Sequence, residues 1–238
     1  MKTFILLDGA MVYGALSVSS LFRDAKADWF ESLMPPGDAQ LAGPLVIDLS
    51  AIRERGIEQP VSRVAMSYPQ RMASSLVESK QTLAELAAHL RHFMRFVDPD
   101  GDVFGLRIAD SRVLGNVARV LDAGQWDRLT GPIEQWALHG YDGKLTHLKL
   151  RKEDPVVATG APLRLSEAQI HALIDASEPD ALLAALERDP ASRPDADHLL
   201  NHRLAKQCVK QWQAQGGADR TALLALGRRA FAASDARG

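Results

Sequence analysis

The stretch from Phe93 to Leu121 constrains this chain more than any other, because it prescribes four successive pieces of structure. Residues 93–97 and 103–108 are short runs rich in β-branched and aromatic side chains, the composition of strands. Between them lies Asp98-Pro99-Asp100-Gly101-Asp102, where Pro99 presets φ and Gly101 tolerates a positive φ, so the chain turns back on itself. Asp110 stands where an N-cap belongs, with a carboxylate able to accept from the free N–H groups of the next turn. Val113, Leu114, Val117, Val120 and Leu121 then recur at the spacing of one helical stripe. The stretch predicts strand, turn, strand, capped helix.

The flanking sequence continues the alternation. Residues 3–7 form a wholly apolar run closed by Asp8-Gly9, which suits a buried central strand. Helices are expected over 10–16 and 24–33, the latter broken by Met34-Pro35-Pro36-Gly37, then a strand at 44–49 and a short helix from Ser50 to Gln59. A weaker strand is expected at 61–68. Thr82, ahead of Leu83, Leu86, Ala87 and Leu90, caps a helix, and Ile133–Leu138 and Lys144–Leu150 make a hairpin. From Arg151 to Arg164 the chain is charged and carries Pro155, Gly160 and Pro162; beyond it strand patterning is lost. Four helices are expected there, opening at Ser166, Pro179, Pro194 and Asp219. The division is therefore residues 1–152, a linker at 153–164, and residues 165–238. The fold class is α+β (α/β-like): an N-terminal lobe with a mixed sheet and flanking helices, followed by a small all-α lobe.

Composition narrows the function. The chain has 238 residues, a formal net charge of −2 and 46% apolar residues, so no global field draws nucleic acid or an anionic membrane. The N-terminal apolar run, Phe4–Leu7, falls short of the roughly seven to fifteen residues of a secretory core. No run approaches the roughly twenty apolar residues that span a bilayer, and the expectation is a soluble, cytoplasmic protein. The lone Cys208 excludes an intramolecular disulfide and sits on an apolar helical stripe between Leu204 and Trp212, as a core residue does.

Candidate chemistry is sparse. Counted from Asp98 as a calcium loop, position 6 is Val103 and position 12 is Ala109, where Gly and Glu are required, so the turn reading holds. His198 and His202 share a helical face but have no Glu between them and no evident third ligand; His89 and His92 fare no better. No nucleophile elbow, phosphate loop or dinucleotide fingerprint occurs. No catalytic residue, cofactor or metal is therefore assigned, and an enzyme, for instance a hydrolase assembled from distant residues, remains the alternative class. Arg107 and Asp110, three apart at the strand-to-helix junction, are placed for a charge-assisted hydrogen bond that pins the turn.

The order of several short motifs resembles the N-terminal domain of type VI secretion effector chaperones, also called adaptors. The matching positions are Phe104, Arg107, Asp110, Arg112, Leu114 and Gly131-Pro132-Ile133, with Leu6–Ala10 and Leu41-x-Gly43-Pro44-Leu45-Val46 upstream. They cover roughly residues 3 to 140. The chain departs from the family pattern at Ala109 and Ser111, where an aromatic and a proline are usual. The resemblance implies a cytoplasmic chaperone that holds a secreted effector and helps load it onto the VgrG spike, with Arg107, Asp110 and Arg112 as candidate partner contacts. Neither nucleic acid nor membrane is an expected partner.

Overall fold

The structure, a computed structural model, describes residues 1–23, 27–37, 40–150, 160–189 and 197–235. In chain order its elements are β1 (Lys2–Asp8), α1 (Tyr13–Val18), β2 (Phe30–Ser32), β3 (Pro44–Asp48), α2 (Leu49–Glu54), α3 (Glu58–Ala65), β4 (Ser74–Ser79) and α4 (Leu83–Arg91). They continue with β5 (Arg95–Val97), β6 (Val103–Gly105), α5 (Ser111–Val120), α6 (Ala123–Thr130), β7 (Ile133–His139), β8 (Leu145–His147) and β9 (Leu163–Arg164). The helices α7 (Glu167–Glu187), α8 (His198–Ala214) and α9 (Arg220–Asp235) complete the chain. Two compact units result, Met1–Ile170 and His171–Gly238, and the division falls inside α7.

The first unit is α+β. Its main sheet runs β2-β3-β1-β4-β7-β8, every neighbouring pair antiparallel. A smaller sheet, β6-β5-β9, is mixed: β5 pairs antiparallel with β6 and parallel with β9. The wholly apolar β1 is central, as its composition requires, and its pleat divides its side chains between two cores. Ile5 and Leu7 join Leu45 and Ile47 beneath Leu16, Phe22, Trp29, Ile52 and Val61. Phe4 and Leu6 share the opposite face with Val46, Val77 and Trp136. There Trp136 stacks on Trp126 of α6 at 6.3 Å. Local signals fix the helix starts on this side. Thr82 and Glu85 form a reciprocal capping box on α4, as Asp122 and Gln125 do on α6.

Several elements differ from the sequence expectation, each for a tertiary reason. The helix expected at 24–33 gives way to β2 over its described end; Trp29 and Phe30 cluster with Phe22 at 5.0 and 5.4 Å, and β2 pairs with β3. The strand expected at 61–68 is helix α3, whose buried Val61, Val64 and Ala65 have helical spacing. The strand from Val103 stops at Gly105, after which Leu106 donates to the Met94 carbonyl at 2.7 Å. In the segment read as a linker, residues 151–159 lie outside the described residues, whereas Leu163 is buried and β9 belongs to the small sheet.

In the second unit Pro179 opens no helix of its own. It is buried inside α7, which runs unbroken through it. The helix start expected at Pro194 falls outside the described residues, and Asp197 caps α8. Asp219 accepts from Thr221 N at 2.8 Å at the head of α9. The core here joins Leu182, Leu186, Ala205, Cys208, Val209, Trp212, Leu223 and Phe231. Burial pushes the Cys208 thiol up from its ordinary pKa. Among the described residues, no helix is long and apolar enough to cross a membrane.

Candidate functional site

One end of the main sheet gathers segments far apart in sequence. Where β1 stops, Asp8 stands beside Pro44 of β3, and its N–H donates to the Ala73 carbonyl at 2.7 Å. Gly9 N then donates to the Gly43 carbonyl at 3.1 Å. Only glycine fits at position 9: a Cβ would lie 2.2 and 2.3 Å from the Leu41 and Gly43 carbonyl oxygens. The start of α5 is tied to the same place. Ser111 N donates to the Met72 carbonyl at 3.1 Å, and the Ser111 hydroxyl to the Ser74 carbonyl at 3.0 Å. Ser111 thus uses an N–H that a proline would lack, and Ala109 is fully buried.

Two carboxylates and two guanidiniums occupy this convergence. Asp8 and Asp110 are 3% and 1% exposed, so neither charge is stable there without partners. Arg112 grips Asp110 with two prongs, Nε to Oδ1 at 2.9 Å and Nη2 to Oδ2 at 2.7 Å, while its backbone N–H donates to Oδ1 at 3.0 Å. Arg107 Nε and Nη2 both reach Asp8 Oδ2, at 3.2 and 2.8 Å, and Asp8 Oδ1 accepts from Met11 N at 3.3 Å. Arg107 Nη2 also lies 3.6 Å from Asp110 Oδ2, an ion-pair distance too long for a hydrogen bond. The four charges balance within the cluster. Removing Arg112 would cost up to roughly 3–5 kcal/mol, because the buried Asp110 is left uncompensated; the half-exposed Arg107 contributes less.

Arg112 leads outward to a second feature. Its guanidinium carbon lies 5.7 Å from the Tyr68 ring centroid, and Nη1 reaches the Tyr68 hydroxyl at 3.4 Å. Tyr68 begins a loop in which Gln70 and Arg71 hold left-handed backbone, φ 53° and 59°, a conformation costly for residues with a Cβ. Together with Met66, Asp142 and Gly143 this loop lines a shallow groove of about 610 Å³. Met66 is half exposed at its rim.

The three candidate contacts, Arg107, Asp110 and Arg112, are therefore brought together, but with different partners from those the spacing suggests. The nearest partner of Arg107 is Asp8, and Asp110 is held chiefly by Arg112. Sequence reasoning missed Asp8 and Tyr68 as members. A usable signal existed for Asp8, since an acid that closes a wholly apolar strand must be matched by a cation. Both carboxylates are committed to guanidiniums. The Arg107 side chain, 51% exposed, keeps donor capacity for a partner acceptor. Among the described residues no group of three or more His, Cys, Asp or Glu side chains is arranged to hold a metal ion.

No curated protein and no solved structure matches the chain. A family model does match, over residues 3–128, and its description is "Domain of unknown function (DUF4123)". The match spans more than half of the chain, which therefore belongs to this family.

Proposed function

We propose that this member of the DUF4123 family is a cytoplasmic chaperone, or adaptor, that binds a type VI secretion effector and helps load it onto the VgrG spike. The observation that carries the reading is the family match over residues 3–128, which contains all three candidate contacts. The geometry is compatible with it. A binding protein of this kind needs a rigid frame with an accessible surface, and it needs no reaction centre. The ion-paired sheet end supplies rigidity, and the exposed half of Arg107 supplies a polar anchor. We place further effector contact on the C-terminal helices, where Ile174 and Leu200 stay 49% and 39% exposed. In this reading the chain performs no catalysis, its contact with VgrG is transient, and neither nucleic acid nor membrane is a partner.

Co-purification with a candidate type VI effector expressed together with this chain tests the proposal. The expected result is a stable complex whose components each melt at a higher temperature than alone, by mass action. If effector accumulation, solubility and secretion are all unchanged when the gene is deleted, the reading fails.

A further inference from the structure

The small sheet ends in a strand with an open flank. In the order β6-β5-β9, β6 is the outer member. Asp98 N donates to Asp102 O at 3.0 Å and Leu106 N to Met94 O at 2.7 Å, on either side of β6. The two-residue repeat of an antiparallel ladder then turns the Phe104 N–H and C=O toward β5 and those of Val103 and Gly105 away from it. Among the described residues nothing pairs with those outward groups. Most protective devices are missing too. The shortness of the strand is the one such device present: natural edges are also blunted by lysine, proline or a bulge, whereas β6 is Val103-Phe104-Gly105, all exposed. Val103 is 61% and Phe104 46% exposed, and the Phe104 ring rests on Phe96 with centroids 5.5 Å apart. A Cβ added at Gly105 would meet nothing within 4 Å, so another backbone can approach.

The edge also has a charge polarity. Asp100 and Asp102 are exposed at its turn end, and Arg95, opposite Gly105, is exposed at the other. Just beyond, Arg107 ties the chain to Asp8, so the strand is presented from a fixed base.

We propose that β6 is an augmentation edge on which the effector lays an extended segment of its own chain. The segment is apolar where it faces Val103 and Phe104 and carries a basic side chain where it passes Asp100 and Asp102. Main-chain hydrogen bonds to Val103 and Gly105 supply affinity, and Phe104 supplies an aromatic anchor. This rests on the chaperone reading. A second copy of the chain is the poorer occupant: a three-residue edge falls far below the roughly 1,600 Å² of a standard protein–protein interface.

The test uses the full chain and a candidate type VI effector expressed with it. Gly105→Pro removes an outward donor without touching the ladder to β5. Phe104→Ser removes the anchor. Leu145→Pro places the same block on β8, the open edge of the main sheet, and serves as control. Expected are a parental melting temperature for Gly105→Pro and a modest lowering for Phe104→Ser, which loses the stack on Phe96, affinity at least roughly tenfold weaker for both variants, no change for the control, and slowed amide exchange at Val103 and Gly105 on binding. If Gly105→Pro folds poorly, Phe104→Ser and the exchange data decide. Equal binding by parent, Gly105→Pro and Phe104→Ser overturns this inference and leaves the chaperone reading standing. A dimer that Gly105→Pro converts to monomer assigns the edge to a second copy and also overturns it. If the effector binds no form of the chain, both readings fall.

Discussion

Asp110 combines two roles that two substitutions separate. It caps α5 through the Arg112 N–H, and it is the buried anion gripped by the Arg112 guanidinium. A cap alone is worth roughly 0.5–2 kcal/mol, and a broken buried ion pair roughly 3–5 kcal/mol. Asp110→Ser keeps a capping oxygen and removes the charge; Asp110→Ala removes both. Urea unfolding should show both variants losing more than a cap is worth, with Ala the worse. A loss below about 1 kcal/mol for Ser would mean that the ion pair contributes little. Another residue gives the molecule a pH response. His89 Nε2 lies 2.8 Å from the Leu129 carbonyl. Burial pushes its pKa below the ordinary 6.5 and nearby His92 adds to this, while the carbonyl contact opposes it. As pH falls below about 6.5, the unfolded chain takes up a proton that the folded chain resists, so stability is lost until the lower folded pKa is reached. Unfolding midpoints measured between pH 7.5 and 5 should decline, and His89→Gln should flatten that decline.

At the scale of elements, the close approach of β1 to the loop before β3 can be tested by two glycines. Gly9→Ala would drive a methyl against two carbonyl oxygens of the backbone, whereas Gly43→Ala would meet the Met34 side chain at Cγ and Cβ, a clash that can be relieved by a change of its χ1 rotamer. Thermal melts should show Gly9→Ala far more damaged than Gly43→Ala; equal losses would mean that the backbone there yields. The same contrast explains what was legible in the sequence. β1, β3, α4, α5 and the β7–β8 hairpin follow from local periodicity and capping, and they emerged where expected. β4 was not anticipated, because Ser74, Ser75 and Ser79 interrupt its apolar pattern. Their hydroxyls are satisfied only in the fold: Ser75 accepts from Trp136 Nε1 at 3.0 Å, Ser79 donates to the Pro132 carbonyl, and Ser74 donates to the Arg71 carbonyl. Asp8 escaped as a site residue for a similar reason, since its partner Arg107 lies 99 positions away. Capping of α5 by Asp110 was thus legible, whereas the choice of guanidinium partners, Arg112 for Asp110 and Arg107 for Asp8, is made by the fold.

For the molecule as a whole, the point of division matters. A fragment ending near Arg151 loses β9, the buried Leu163 and Leu165, and the Gln169 side chain that bonds Gln125 and the Val120 carbonyl. One ending at Ile170 keeps all of them. Residues 1–170 should therefore fold cooperatively and melt well above residues 1–151 by circular dichroism; indistinguishable melts would place the end of the unit earlier. The sheet order has a further consequence for the chain during its synthesis. β4 receives its second neighbour only from β7, which begins at Ile133, beyond both the intervening α4–α6 segment and the end of the family match at residue 128. At roughly 5–20 residues per second on a ribosome, the flank of β4 stays bare for several seconds after it emerges. In that interval the nascent protein displays an unsatisfied strand of its own, the same kind of exposed surface it is proposed to shelter in an effector.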